Sequence, residues 1–192
     1  MSQLLRSLVS EHERVLEVLS ALQQFASLAA PPPAEPRETL RAFVRFFREY
    51  LDQKHHAKEE DLLFPALIEA GMPRDAGPVG CMLNEHDVGR RLLANIATIS
   101  EGTGAFTELE QGMLAELARQ YVPLLTQHIA KENQMLYPMA ARLLSADQFE
   151  ELDATAVVLD ARWTSSDGGL EAVGATLVAR FSASASPAER AP

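Results

Sequence analysis

Apolar residues recur at helical spacing along most of this chain. Between Gln3 and Ala29, Leu4, Leu5, Leu8, Val15, Leu16, Leu19, Leu22 and Phe25 follow a 3.6-residue repeat, which predicts an amphipathic helix. The Ala30-Pro31-Pro32-Pro33-Ala34 run ends it, because consecutive prolines remove backbone donors and clash with a helical turn. A second helix is predicted over Glu35 to Ala70, with Pro36 in its first turn and Gly71-Met72-Pro73 as its stop. A third starts near Pro78 and reaches Ser100, ahead of Gly102 and Gly104, and a fourth runs from Phe106 to Leu144. Pro65, Pro123 and Pro138 fall inside the second and fourth helices, and each is expected to bend its helix or interrupt it locally.

Four long helices with short connections make antiparallel neighbours. The expected fold is therefore all-α: an up-down-up-down four-helix bundle over residues 1–144. Ser145-Ala146-Asp147 predicts the start of a fifth helix reaching Trp163, and Gly168-Gly169 should separate it from a last helix ending near Phe181. Residues 145–181 would then form a helical extension packed on the bundle. The Ser-, Ala- and Pro-rich residues 182–192 are expected to be a disordered tail.

Composition narrows the function classes. A chain of 192 residues has room for one domain with a sizeable core. Its formal charge of −10 argues against a nucleic-acid surface and against docking on anionic lipid, since both need clustered Lys and Arg. No stretch approaches the roughly 20 apolar residues of a membrane span, and the first residues lack the apolar run of a secretory signal. The lone Cys81 cannot form an internal disulfide and fits a reducing compartment. A soluble, cytoplasmic protein is expected, with Cys81, Trp163 and the methionines as packing residues.

The apolar stripes are interrupted by histidines. The chain has five, and His55-His56-Ala57-Lys58-Glu59 matches His128-Ile129-Ala130-Lys131-Glu132, with Phe64-Pro65 and Tyr137-Pro138 at the same offsets. His12 and His86 each follow a glutamate. Counted along antiparallel helices at about 1.5 Å per residue, His12, His55, Glu59, His86, His128 and Glu132 all fall roughly 12–24 Å above one end of the bundle. Positions i and i+4 share a helix face, so His55 points with Glu59 and His128 with Glu132. Leu51 and Leu62 should continue the first face, and Leu124 and Met135 the second. Two carboxylates and at least four imidazoles in one core layer are costly to bury unless paired or bound to metal. Mixed imidazole and carboxylate ligation suits Fe, Mn or Zn, with carboxylates bridging two cations.

The ordered set of one histidine or His-x-x-x-Glu pair per helix resembles the hemerythrin-like family, also called the HHE cation-binding domain. The likeness covers residues 1 to about 144. It extends to Ser10-Glu11-His12, the Lys58-to-Pro65 run, and Asn84-Glu85-His86-Asp87 with Arg90 after it. The resemblance implies a non-haem di-iron centre held by His12, His55, Glu59, His86, His128 and Glu132, with Glu59 and Glu132 bridging. His56 has no counterpart in the second repeat; it is either a fifth imidazole ligand, if the helix is locally distorted, or a supporting donor. Glu60 is a further candidate, as a ligand or a supporting or solvated group. Oxygen-carrying hemerythrins place two histidines four apart on the third helix, whereas Arg90 stands at that spacing from His86. An open site for O2, peroxide or nitric oxide is therefore favoured over reversible oxygen carriage. The other readings are an iron-binding or sensing module read out by a protein partner, and a zinc-filled structural bundle. Tyr137 is expected to be a core residue, and Tyr121, two turns before His128 on the same face, either a core residue or a hydrogen-bond donor to a metal-bound ligand. Arg90 is expected on a solvated face, or paired with a carboxylate near the site.

Overall fold

A computed structural model of the chain describes residues 2–27 and 35–182, without the side chains of residues 164–168 and 182. The proline stop at Ala30–Ala34 and tail residues 183–192 lie outside the described residues. Everything described is helix or the turns that join helices, with no strand among the described residues. None of these helices is long and apolar enough to cross a membrane.

Helix α1 spans Gln3–Ser27. A second rod follows, built from α2 (Pro36–Arg45), two π-helical segments (Phe46–His56 and Glu59–Leu63) and α3 (Phe64–Glu69). Pro36 occupies its first turn, where the missing N–H costs nothing. It ends in a Schellman turn: Gly71 (φ 104°) and Met72 donate N–H groups to the carbonyls of Ile68 and Leu67. Helix α4 covers Gly77–Ser100. The next rod joins α5 (Glu108–Lys131), a π segment (Glu132–Leu136) and α6 (Tyr137–Leu143). Thr107 starts it with a capping box closed by Glu110.

Two of the three internal prolines act as expected. Pro65 and Pro138 cannot donate an N–H, and their rings push away the carbonyl four residues back. The turn before each widens, so that Phe64 and Tyr137 donate N–H groups to the carbonyls of Glu59 and Glu132, five residues earlier. Each widened turn moves the buried stripe by one position. Leu63 and Leu136 are buried in place of Leu62 and Met135, and Met135 is left exposed. Pro123 lies on an exposed face, and α5 runs through it.

Helix α7 (Ala146–Ala161) starts at Ser145 with a capping box closed by Gln148. The break after it differs from the expected one. It falls at Arg162-Trp163, and Gly168-Gly169 lie inside α8 (Thr164–Ser182). Each glycine costs a helix about 1 kcal/mol, whereas a fully buried Leu or Phe contributes about 1.5–3 kcal/mol. Leu170, Leu177 and Phe181 of α8 are all buried, with the Phe181 ring 5.3 Å from Phe25 and 5.8 Å from Phe43. Tertiary packing outweighs the local signal. Helix α8 lies along α1, and α1 also packs on α5, while α4 contacts both α5 and the second rod.

The apolar core is divided in two. One cluster holds Val15, Leu19, Phe43, Phe46, Phe47, Leu93, Tyr121 and Leu125, and the other holds Leu5, Leu8, Leu63, Phe64, Val79, Met82, Leu136 and Tyr137. Between them, in sequence and in space, lies a layer of buried ionisable side chains. Cys81, by contrast, is exposed, as are Met113 and Met135, so the packing role expected for these residues does not hold.

Candidate metal centre

His12, His55, His56, Glu59, His86, His128 and Glu132 all lie in that layer and are buried. Their donor atoms form two groups, His12/His55/Glu59/Glu132 and His56/Glu59/His86/His128, each with all atoms within 4.8 Å of one another. Glu59 belongs to both. Glu132 reaches both sides as well: Oε2 is 3.2 Å from His12 Nε2, and Oε1 is 3.1 Å from His128 Nε2. His86 Nε2 and His128 Nε2 stand 3.0 Å apart, and Glu59 Oε2 is 3.5 Å from His86 Nε2 and 3.7 Å from His55 Nε2.

Every imidazole is oriented alike. Each Nδ1 faces an oxygen on the outer side: Asn133 Oδ1 for His12 (2.9 Å), Glu11 Oε2 for His55 (2.9 Å), Asp52 Oδ1 for His56 (3.3 Å), Glu60 Oε1 for His86 (2.6 Å) and Glu85 Oε2 for His128 (3.0 Å). An Nδ1–H donated outward leaves the Nε2 lone pair aimed inward. The Nε2 atoms of His12, His55 and His56, Oε2 of Glu59 and both oxygens of Glu132 are buried without a hydrogen-bond partner. Orphaned acceptors of this kind are expensive, and divalent cations among them would satisfy all of them at once.

In the metal-free layer the buried groups compete for charge. Burial and then the charge of His12 depress His55 to about 4. Burial and then neighbouring imidazoles hold His56 well below its ordinary value. Burial opposes a charge on His128, yet Glu132 and Glu85 outweigh it and raise this imidazole to about 9. Burial and the Glu132 charge push Glu59 well above the carboxylate range. Glu132, against its own burial, is held well below that range by His128 and His12. Without a cation the two carboxylates therefore cannot both ionise freely.

Residues 3–140 match the family model described as the hemerythrin HHE cation binding domain. The chain belongs to the hemerythrin-like family. Among curated relatives, an uncharacterised protein of Mycobacterium tuberculosis is 23% identical over 148 residues, 77% of this chain and 57% of the relative. The iron–sulfur cluster repair protein YtfE of Salmonella paratyphi B is 27% identical over 136 residues (67% and 58%). Its counterpart in Musicola paradisiaca is 34% identical over 97 residues (46% and 41%). The chain thus spans less than two thirds of the length of these relatives. No solved structure matches it.

Within this hemerythrin-like layer the two repeats are related by an approximate twofold. Glu11 and Glu85, the glutamates preceding His12 and His86, reach across to His55 and His128, and are in turn paired with Lys58 and Lys131. Glu60 and Asn133, equivalent in the repeats, hold His86 and His12. From the sequence, Glu60 is expected as a ligand or a supporting or solvated group, whereas Glu11, Glu85, Lys58, Lys131 and Asn133 are letters without a task. The signal available was the repeat itself, since Lys58/Lys131 and Glu11/Glu85 recur with the histidines.

Three features break the symmetry. His56 stands where the second repeat has Ile129. The π segment narrows the angle between consecutive residues, so both His55 and His56 turn inward. Arg90 donates to Asp52 (2.8 Å) and Glu60 (2.6 Å), the carboxylates behind His56 and His86, whose rings stack 3.7 Å apart. Tyr137 is buried as expected, but its hydroxyl also donates to Glu59 Oε1 at 2.6 Å, which the Phe64 counterpart cannot do. Tyr121 packs edge-on against Phe47.

Proposed function

We propose that this chain is a non-haem di-iron protein that binds or reacts with O2, peroxide or nitric oxide, in sensing, detoxification or storage. The carrying observation is the two donor groups joined by Glu59, in which three imidazole Nε2 atoms and three carboxylate oxygens are buried without a hydrogen bond. His12, His55, Glu59 and Glu132 would hold one iron, and His86, His128, Glu59 and His56 the other, with Glu132 reaching both. Asp52 behind His56, clamped by Arg90, supports His56 as the imidazole replacing the one missing from the third helix. Glu60, occupied with His86 and Arg90, is a support and not a ligand. Two irons when bound would supply reversible one- or two-electron redox chemistry and an open coordination position.

The protein's own part is definite. Glu11, Asp52, Glu60, Glu85 and Asn133 fix each imidazole in one tautomer and one orientation. Tyr137 orients Glu59, and the apolar clusters on either side exclude water from the layer. The scaffold supported best is a four-helix bundle formed by α1, the two composite rods and α4, with residues 145–181 as a helical extension packed on it. Iron–sulfur repair, the role named for the YtfE relatives, is a narrower version of the same reading.

Metal analysis of anaerobically purified protein, with absorption spectra before and after oxygen, tests it. Two irons per chain and new near-ultraviolet bands on oxidation are expected. Protein without bound metal, together with unchanged stability in Glu59→Ala and Glu132→Ala, would overturn the reading.

A further inference from the structure

The two Lys–Glu–His relays are alike in sequence but differ in their surroundings. Lys131 is half-exposed (36%) beside Glu85, whereas Lys58 is 1% exposed and donates to Glu11 Oε1 at 2.6 Å and Ser7 Oγ at 3.3 Å. Helix α7 reaches Lys58 as well. Asp160, near the end of that helix and itself 35% exposed, turns its one shielded oxygen, Oδ1, to within 3.1 Å of Lys58 Nζ. Seven residues earlier on α7, Asp153 accepts the N–H groups of Gln3 (2.9 Å) and Leu4 (2.7 Å) at the start of α1. Between them Ala156 is buried in the cluster of Leu5, Leu8, Leu63 and Phe64, and Leu152, just before Asp153, packs on the same cluster. Helix α7 is thus attached both to the first turn of α1, the helix that carries Glu11 and His12 further along, and to Lys58, the nearer of the two second-rod lysines that pair with Glu11.

We infer that Asp160 is a positioning residue of the metal centre. Through Lys58 and Glu11 it fixes the ring of His55, so that α7 locks the His12/His55/Glu132 half while the His86/His128 half remains the exchangeable one. The inference rests on the di-iron reading for its metals, but the relay itself consists of protein groups alone. The supports of the other half touch solvent: Glu60, Asp52 and Arg90 are partly exposed, as is Lys131. A metal leaving that half need only disturb surface side chains. One leaving the other half must unseat a buried lysine held from three sides.

The test uses the full chain loaded anaerobically with Fe(II), with release followed by a ferrous-specific chelator. Wild-type protein should release iron in two phases, one iron in each. Asp160→Asn should accelerate the slow phase about tenfold, the lower end of what loss of support behind a liganding imidazole costs, and leave the fast phase alone. Asp160→Glu should restore it, and Lys131→Met should accelerate the fast phase only. Release from wild type in a single phase, or equal acceleration of both phases by Asp160→Asn, overturns the inference while leaving the di-iron reading intact. A second arm needs no metal. In metal-free protein labelled with 15N-histidine, the His55 Nδ1–H should exchange faster with solvent in Asp160→Asn, with His128 unaffected. Failure of wild type to bind iron would defeat the functional reading, and this arm would still decide the relay: an unchanged His55 proton overturns it.

Discussion

Tyr137 acquires a task that spacing does not reveal, and Arg90 takes the second of its two expected places, paired with carboxylates near the site. Both were visible as letters, one as the Phe64 equivalent and one as the occupant of a missing histidine's place. Their hydrogen bonds depend on contacts 78 residues away for Tyr137 and Glu59, and 30 to 38 residues away for Arg90. Tyr137→Phe should retain the fold at a cost of about 1 kcal/mol, as for the loss of one hydrogen bond, and weaken iron binding about tenfold. Equilibrium competition with a chelator, beside thermal melts, checks both numbers. Arg90→Leu frees Asp52 and Glu60 together, so the affinity of one iron of the two should fall. Arg90→Lys should recover only part of it, because a single ammonium cannot span two carboxylates as the guanidinium fork does. Equal weakening of both irons in Arg90→Leu would contradict this assignment. The histidines themselves were legible because buried imidazoles on apolar stripes are costly and therefore conspicuous. Four of their five Nδ1 partners come from other helices and were not; Asp52, one turn before His56, is the exception.

Helix existence followed from periodicity and punctuation, since Pro36, Gly71, Thr107 and Ser145 all act at the termini where they stand. The π segments did not follow. A proline inside a helical pattern predicts disturbance, but whether the turn bends or widens depends on what the displaced residues can pack against. The one-residue shift that buries Leu63 and Leu136 was accordingly missed. Arg37 is a second case: a buried arginine at the start of α2 that donates to the carbonyls of Ile99, Gly104 and Ala105 and pairs with Glu110. It ties the second rod to the α4–α5 connection and packs so closely on Gly102 that a Cβ there would lie 2.6 Å from its Nη1. Arg37→Leu strands these carbonyls, and its melting temperature should fall by roughly 6–12 °C. The Thr107 backbone N–H and then Arg37 lower the Glu110 pKa. A folded-state pKa below the unfolded one means stabilisation that is complete above the ordinary glutamate value and fades as pH falls through the lowered one. The deficit of Arg37→Leu should therefore shrink in acid, which melts across pH 3–7 would show.

Taken as one body, the molecule is two apolar cores clamped on a polar layer, and this makes its stability depend on what occupies the layer. Cations bound only by the folded chain stabilise it by mass action, about 4 kcal/mol at a thousandfold excess over Kd. Chelation should accordingly lower the melting temperature by roughly 8–16 °C for a chain of this size. Glu59→Ala should lose most of that metal-dependent increment while melting close to metal-free wild type. Calorimetry with and without Fe(II) measures the increment directly; one of the same size in Glu59→Ala would show that the stabilising cation binds elsewhere.

Local chemistry was enough to specify all-helical structure and a common level for the histidines and the paired carboxylates, because helical periodicity and rise are properties of the chain's own backbone. Family membership could be anticipated for the same reason, from the order and spacing of those letters. Contacts between distant segments determined the rest. The widened turns before Pro65 and Pro138, the burial of α8 despite Gly168-Gly169, the outward partners of His12, His55, His86 and His128 and the contact of Asp160 with Lys58 all depend on which surfaces meet. Packing free energies of a few kcal/mol, decided by neighbours remote in sequence, override local preferences of about one.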